Sequence, residues 1–174
     1  KKVFSVLKHP REKAFIALLF ESGCRIGEIA TLKLKNIVID THGVLLTVFG
    51  KTGSRKIRVI SSSTFLLNWL SVHPLQNDKE APLWISIGIG TKTRESFLTY
   101  QGLVKCLKKA FKEAGINKRI YPHLFRHSRA TLMAKHLTEF QMNQYFGWVQ
   151  GSDMAGTYVH LSGRDMDTAL FKFN

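Results

Sequence analysis

The stretch Pro122-His123-Leu124-Phe125-Arg126-His127-Ser128 decides how the chain is read. Proline suits the first turn of a helix, where its missing N–H costs nothing, so a helix starts at Pro122 and the pattern carries it from His123 to about His136. One helical turn separates His123 from Arg126 and sets a titratable imidazole beside a permanent cation. Such a pair suits a phosphate, because the guanidinium forks onto two oxygens and a histidine exchanges protons near neutral pH. His123 and His127 also share the spacing of a zinc-binding helix. Leu124 stands where that helix needs glutamate and no third ligand follows, so no metal site is expected.

Downstream, Thr138 and Gln141 form the capping box of a helix that runs to Phe146 and stops at Gly147. A short helix over about Asp153–Val159 carries Tyr158, and a last one covers Arg164–Phe171. Upstream, Thr99 caps a helix whose apolar positions Leu103, Leu107, Ala110, Phe111 and Ala114 recur at helical spacing, closed by Gly115. Lys105, Lys108, Lys109 and Lys112 lie mostly elsewhere on its circumference. Gly88-Ile89-Gly90 is a fragment of a glycine fingerprint without a strand–turn–helix context and reads as a loop. Ser61–Ser63 cap a helix through Phe65, Leu66, Trp69 and Leu70, ended by Pro74. Val44–Phe49 and Lys56–Ile60 are β-branched and apolar runs around Gly50-Lys51-Thr52-Gly53, which predicts a hairpin with Lys51 near its tip; a third strand is expected around Leu83–Ile87. At the start, a helix runs from Pro10 to the turn at Gly23, and a short one follows from Arg25 to Leu32. The expected class is mainly α with a small antiparallel β-sheet (α+β), in one domain spanning 1–174.

Composition narrows the partner. A chain of 174 residues suits a single domain, and 44% hydrophobic with 22% charged residues is ordinary for a globular protein, which argues against disorder and against a membrane core. The longest apolar run, Ala14–Phe20, is far short of the roughly 20 residues that span a bilayer, so no membrane partner is expected. Net charge is +14, and a polyanion relieves self-repulsion on that scale, which makes nucleic acid the leading partner. The excess is uneven: residues 1–60 carry 12 basic and 4 acidic side chains, 61–120 carry 9 and 4, and 121–174 carry 5 and 4. The last third is therefore not a general electrostatic surface, and its few basic residues act by position. Cys24 and Cys106 offer neither a disulfide framework nor metal spacing; they read as small core residues in a reducing, cytoplasmic setting.

Four elements occur in a fixed order: Arg25-Ile26-Gly27-Glu28 after the Gly23 turn, the Gly50–Gly53 hairpin tip, His123–His127, and Phe146-Gly147-Trp148 ahead of Thr157-Tyr158-Val159-His160. In that order, over nearly the whole chain, the sequence resembles the C-terminal catalytic domain of the tyrosine recombinase (phage integrase) family. The resemblance implies that family's catalytic-domain fold and makes Arg25 and Arg126 the catalytic arginines, Lys51 the hairpin lysine, His123 the histidine of H-x-x-R, Trp148 the residue at the His/Trp position and Tyr158 the nucleophile. Glu28 and His127 would support the site. It further implies double-stranded DNA as partner, no cofactor, a DNA-associated location, a tetrameric synapse of full-length copies, and an N-terminal core-binding domain outside this chain. The tail from Tyr158 to Asp165 looks like archaeal members. One departure stands out: Tyr158 lies ten residues after Trp148 where the family usually has nine, which loosens its placement and leaves open delivery to another protomer.

The chemistry is coherent in its own right. A tyrosine phenol has a pKa near 10, so only about 0.1% is phenolate at pH 7 and attack on a phosphodiester needs a proton acceptor or a strongly cationic setting. Arg25 and Arg126 would clamp the two non-bridging oxygens and stabilise the extra charge of the pentacoordinate state. Lys51 is placed to protonate the departing 5′-oxygen, His123 to accept the Tyr158 proton, and Trp148 to donate its indole N–H to the phosphate. Arg55, Lys56 and Arg58 beside Lys51, together with Lys105, Lys108, Lys109 and Lys112, are expected to track DNA phosphates. The expected function is site-specific recombination through a 3′-phosphotyrosyl intermediate, in viral or plasmid integration. The alternatives are chromosome-dimer resolution and a DNA-binding module of the same fold without activity.

Overall fold

Proline and glycine set the ends of the helix on which everything else packs. In the computed structural model, which describes residues 2–86 and 97–161, α1 (Lys2–Val6) is followed by α2 (Pro10–Ser22). Pro10 opens α2; Gly23, in the left-handed region at φ 59°, closes it by donating its N–H to the Leu19 carbonyl at 3.3 Å. From Ala14 to Leu19 every side chain is buried, as befits a helix surrounded by other elements rather than lying on a surface. α3 (Ile26–Ala30) and a 3₁₀ turn (Leu34–Asn36) lead into a three-stranded antiparallel sheet of β1 (Ile37–Asp40), β2 (Gly43–Gly50) and β3 (Gly53–Val59), in the order β1-β2-β3. The β2–β3 register runs from Val44 opposite Val59 to Gly50 opposite Gly53, so the tip is the Lys51-Thr52 turn. Alternation turns Val44, Leu46, Val48, Ile57 and Val59 to the core.

The chain closes with α4 (Ser63–Ser71), α5 (Tyr100–Glu113), α6 (Pro122–Met133), α7 (Glu139–Phe146) and α8 (Met154–Leu161). Two cores result. The larger joins α2, α3, the sheet, α4, α5 and Phe125; the smaller consists of Ala130, Ala134, Met142, Phe146, Trp148, Ala155 and Tyr158, with Tyr145 packed against both. Each large apolar side chain fully buried stabilises the fold by roughly 1.5–3 kcal/mol. The buried indoles are satisfied as well: Trp69 donates to the Leu83 carbonyl at 2.9 Å and Trp84 to the Ile29 carbonyl at 2.8 Å.

The α+β class is as expected, but three local readings change. The third strand is Ile37–Asp40, not Leu83–Ile87. Leu83, Trp84 and Ile85 are wholly buried plugs, tied by single contacts such as the Leu83 N–H to the Leu32 carbonyl at 2.8 Å, and only an isolated bridge joins Ile85 to Phe97. Serine is not what caps α4: Ser62 makes no side-chain cap, and the Glu21 carboxylate instead accepts the N–H groups of Ile60, Ser61 and Ser62 at 2.8, 3.0 and 2.6 Å. α6 ends at Met133 rather than near His136. Ile87, the Gly88–Gly90 loop and the Arg164–Phe171 helix lie outside the described residues. Cys24 is buried and Cys106 half-buried, its thiol pushed up to about 11 by burial, consistent with small core residues. Among the described residues no helix is long and apolar enough to cross a membrane.

Candidate active site

The site forms where three chain reversals meet: the Gly23 turn, the hairpin β2–β3, and the Gly147 turn after α7. Arg25 follows the first directly. Its backbone N–H and its guanidinium donate to the two carboxylate oxygens of Glu28, at 2.8 and 3.2 Å, which opens α3 and leaves the Arg25 side chain partly exposed. Glu28 itself is only 4% exposed. Burial alone raises its carboxyl, but the hydrogen bonds and charge of Arg55, together with the Arg25 N–H, outweigh burial and hold it below the ordinary carboxylate range.

Arg55 corrects one expectation. Instead of facing DNA, it grips Glu28 with both terminal nitrogens, at 2.9 and 2.8 Å, and donates its Nε–H to the Tyr145 carbonyl at 2.8 Å, thereby joining the hairpin to the end of α7. Strand alternation is the reason. Arg55 falls on the same face as the buried Ile57 and Val59, whereas Lys56 and Arg58 face the other way. That alternation was present in the sequence and would have found it. Arg58 is also engaged, by Asp40 across the sheet at 2.5 Å; Lys56 is exposed.

Arg126, one turn into α6, is 5% exposed. It donates to the Gly23 carbonyl at 3.2 Å and the Phe146 carbonyl at 2.6 Å, so the ends of α2 and α7 are tied through one guanidinium. The same group lies over the Phe146 and Trp148 rings, 5.0 and 5.4 Å from their centroids. Burial, with the positive charge of Arg25 beside it, pushes Arg126 down to about 10. The two hydrogen bonds leave part of its five-donor fork for an anion. Phe146, Trp148 and Tyr158 stack in series, 4.8 Å between the first two centroids and 5.4 Å at 4° between the last two. Tyr158 of α8 thus stacks, within one chain and despite the extra residue before it, on the Trp148 ring that Arg126 lies over.

The remaining candidates are distributed as follows. Lys51 is exposed at the hairpin tip, whose neighbour Thr52 donates to the Gly147 carbonyl at 3.3 Å, so the tip leans on the turn before Trp148. His123 is exposed at the start of α6, its ring centroid 6.5 Å from that of His127. The Tyr158 hydroxyl bonds to Nδ1 of His127, not to His123. This is the contact that sequence reasoning did not find, because the separation of α6 and α8 in space is not written in either segment's spacing. Burial raises the Tyr158 phenol above its ordinary range, and the Arg126 charge opposes that. Lys105, Lys108, Lys109 and Lys112 are exposed along α5.

Residues 5–164 match the Phage integrase family. The chain belongs to that family. Its curated relatives include the tyrosine recombinase XerC of Histophilus somni, 28% identical over 153 residues that cover 87% of this chain and 49% of that protein. Transposase A of transposon Tn554 from Staphylococcus aureus is 26% identical over 184 residues, 99% of this chain and 50% of that protein. The chain therefore spans about half the length of these relatives. In fold it is similar to XerA recombinase, with TM-score 0.72 and 20% identity over 99% of this chain and 58% of that one. XerH recombinase, in a post-cleavage complex with its palindromic difH substrate, gives TM-score 0.72 and 21% identity over 97% and 48%.

Proposed function

We propose that this chain is the catalytic domain of a site-specific DNA recombinase that cleaves and rejoins strands through Tyr158. The observation that carries the reading is the placement of Arg126 over the Phe146 and Trp148 rings, with Tyr158 stacked on Trp148 and the partly exposed Arg25 close enough for its charge to act on Arg126. Two guanidiniums in a partly desolvated setting stabilise the negative charge that grows on a phosphate as an oxygen attacks it. Tyr158 supplies that oxygen. The new bond joins its phenolic oxygen to phosphorus while the bond to the 5′-oxygen breaks, and Lys51 on the hairpin tip gives the departing oxygen a proton. Since one phosphodiester replaces another, the step reverses without an external energy source, and a 5′-hydroxyl from a second duplex completes the exchange.

Exchange of both strands between two duplexes involves four phosphates, which calls for a tetramer of the full-length protein on double-stranded DNA. Stacking of Tyr158 on Trp148 of the same chain favours cleavage in cis. Integration of mobile, viral or plasmid DNA is the proposed setting; it is favoured by the Tn554 transposase alignment, which extends over 99% of the chain against 87% for XerC. Chromosome-dimer resolution is the alternative. A nicked suicide substrate carrying the protein's own site tests the reaction: wild type forms a covalent complex, and Tyr158→Phe binds equally but forms none. Equal binding with no adduct from either chain would instead make this a DNA-binding module, and relaxation of supercoiled DNA without site preference would make it a topoisomerase.

A further inference from the structure

Resting on that reading, we propose that His127, rather than His123, accepts the proton of Tyr158. The hydroxyl of Tyr158 meets Nδ1 of His127, and that hydroxyl has one proton to give. The phenol is otherwise enclosed: 6% exposed, stacked flat on Trp148, with α8 packed on α6 and α7. The imidazole of His127 is exposed. A proton leaving the oxygen therefore passes to Nδ1, and the exposed ring holds it as an imidazolium in contact with water. In this role the neutral ring accepts at Nδ1 and carries its hydrogen on Nε2.

The step balances. The O–H bond of Tyr158 breaks, its proton goes to Nδ1 of His127, and the resulting phenolate forms the bond to phosphorus as the 5′-oxygen departs. In rejoining, the imidazolium returns the proton as the phenolate leaves. His123, one turn earlier on α6 and also exposed, stays available to the phosphate beside Arg126.

Single-turnover cleavage tests this, using an ordinary duplex and one whose 5′-bridging oxygen is replaced by sulfur, a leaving group that needs no proton. His127→Ala should form the Tyr158 adduct roughly 100-fold or more slowly on both substrates, since phenol deprotonation is common to both, and added imidazole should restore part of the rate. Lys51→Ala should be slow on the oxygen substrate only. His127→Gln keeps a hydrogen-bond acceptor for the phenol but cannot take its proton, and should fall as far as His127→Ala. Cleavage by His127→Gln within about threefold of wild type would overturn the proposal, since general-base catalysis is worth far more than that. So would loss and imidazole rescue at His123→Ala in place of His127→Ala. Absence of adduct from wild type would remove the recombination reading and this step together, whereas an active wild type matched by His127→Ala would remove this step alone.

Discussion

Arg126 is where folding and chemistry make opposed demands on one side chain. Taking a guanidinium out of water is costly, and the shift down to about 10 is the sign of that cost. Two backbone carbonyls and two aromatic faces offset it, and those same contacts orient the group. Arg126→Ala is therefore expected to do two things at once. It leaves the Gly23 and Phe146 carbonyls without this donor and opens a gap beside Trp148, costing about 2–4 kcal/mol in denaturant unfolding. It also removes half of the proposed phosphate clamp, so covalent complex formation should drop by roughly 10³-fold or more even at temperatures where the variant is folded. Arg126→Lys, which keeps the charge but not the fork, should recover much of the stability and little of the rate. The position of this residue was legible, because a proline-started helix and a one-turn spacing put it one turn into α6. The role of Arg55 was legible only in the strand alternation, which sets it on the buried face, and was masked by a charge that suggests a phosphate.

The elements show what kinds of signal survive in a sequence. Helix ends marked by Gly23, Thr99, the Thr138–Gln141 box and Gly147 lie where local chemistry puts them, since a cap is decided by a few adjacent residues. β1 was missed because it is an edge strand with Val38 and Ile39 exposed, so it shows no apolar-polar alternation. Leu83–Ile85 was mistaken for a strand because burial of a short apolar run looks the same whether it pairs or plugs. Turn chemistry also carries the site. Gly147 has φ 62°, and a Cβ there would sit 2.9 Å from a terminal nitrogen of Arg55. Gly147→Ala should thus cost about 1–2 kcal/mol, more than an isolated left-handed alanine, and should impair cleavage by dislodging Arg55 from Glu28; unfolding curves alongside adduct formation check both. Two carboxylates add an acid limit. For Glu21, burial raises the carboxyl but hydrogen bonds from Ser62 and the backbone of Ile60, Ser61 and Ser62 outweigh it, and for Glu28 the bonds and charge of Arg55 do the same. Both are lowered, so their contribution is fully present above the ordinary carboxylate pKa of about 4.3 and is lost as pH falls through the folded values. Stability should decline below about pH 4, and Glu21→Gln should lower the plateau while flattening that decline. An unchanged slope in pH-dependent denaturation would show that the α4 cap contributes nothing.

For the molecule as a whole, the net charge of +14 overstates what DNA can meet. Arg55 is locked to Glu28, Arg58 to Asp40, Lys33 and Lys35 to Glu80, and Arg11 to the Ile85 carbonyl. Such groups have their donors and their charge engaged by the protein, and bringing them to a phosphate means breaking an existing bond. The α5 lysines differ. Lys105, Lys108, Lys109 and Lys112 are exposed, and Lys109 is drawn only loosely to Glu113, at 3.8 Å. If they lie along the backbone, each phosphate they neutralise releases counterions, and the logarithm of the binding constant falls with the logarithm of salt by about 0.9 for each one. Replacing Lys105, Lys108 and Lys112 with glutamine should then weaken binding uniformly across DNA sequences and flatten the salt dependence by about 0.9 for every phosphate no longer neutralised. Unfolding stability should change by no more than about 0.5 kcal/mol, because exposed lysines add little to the fold. Arg55→Gln should behave in the opposite way. It leaves Glu28 buried without its main partner, a loss of about 3–5 kcal/mol, yet at temperatures where the chain is folded the salt slope should not move. Fluorescence anisotropy across a salt series on the three proteins separates the two populations of basic residues. An unaltered slope in the triple variant would make α5 a solvated face and leave the phosphate contacts to Lys56 and to Lys118 and Arg119 beyond the helix.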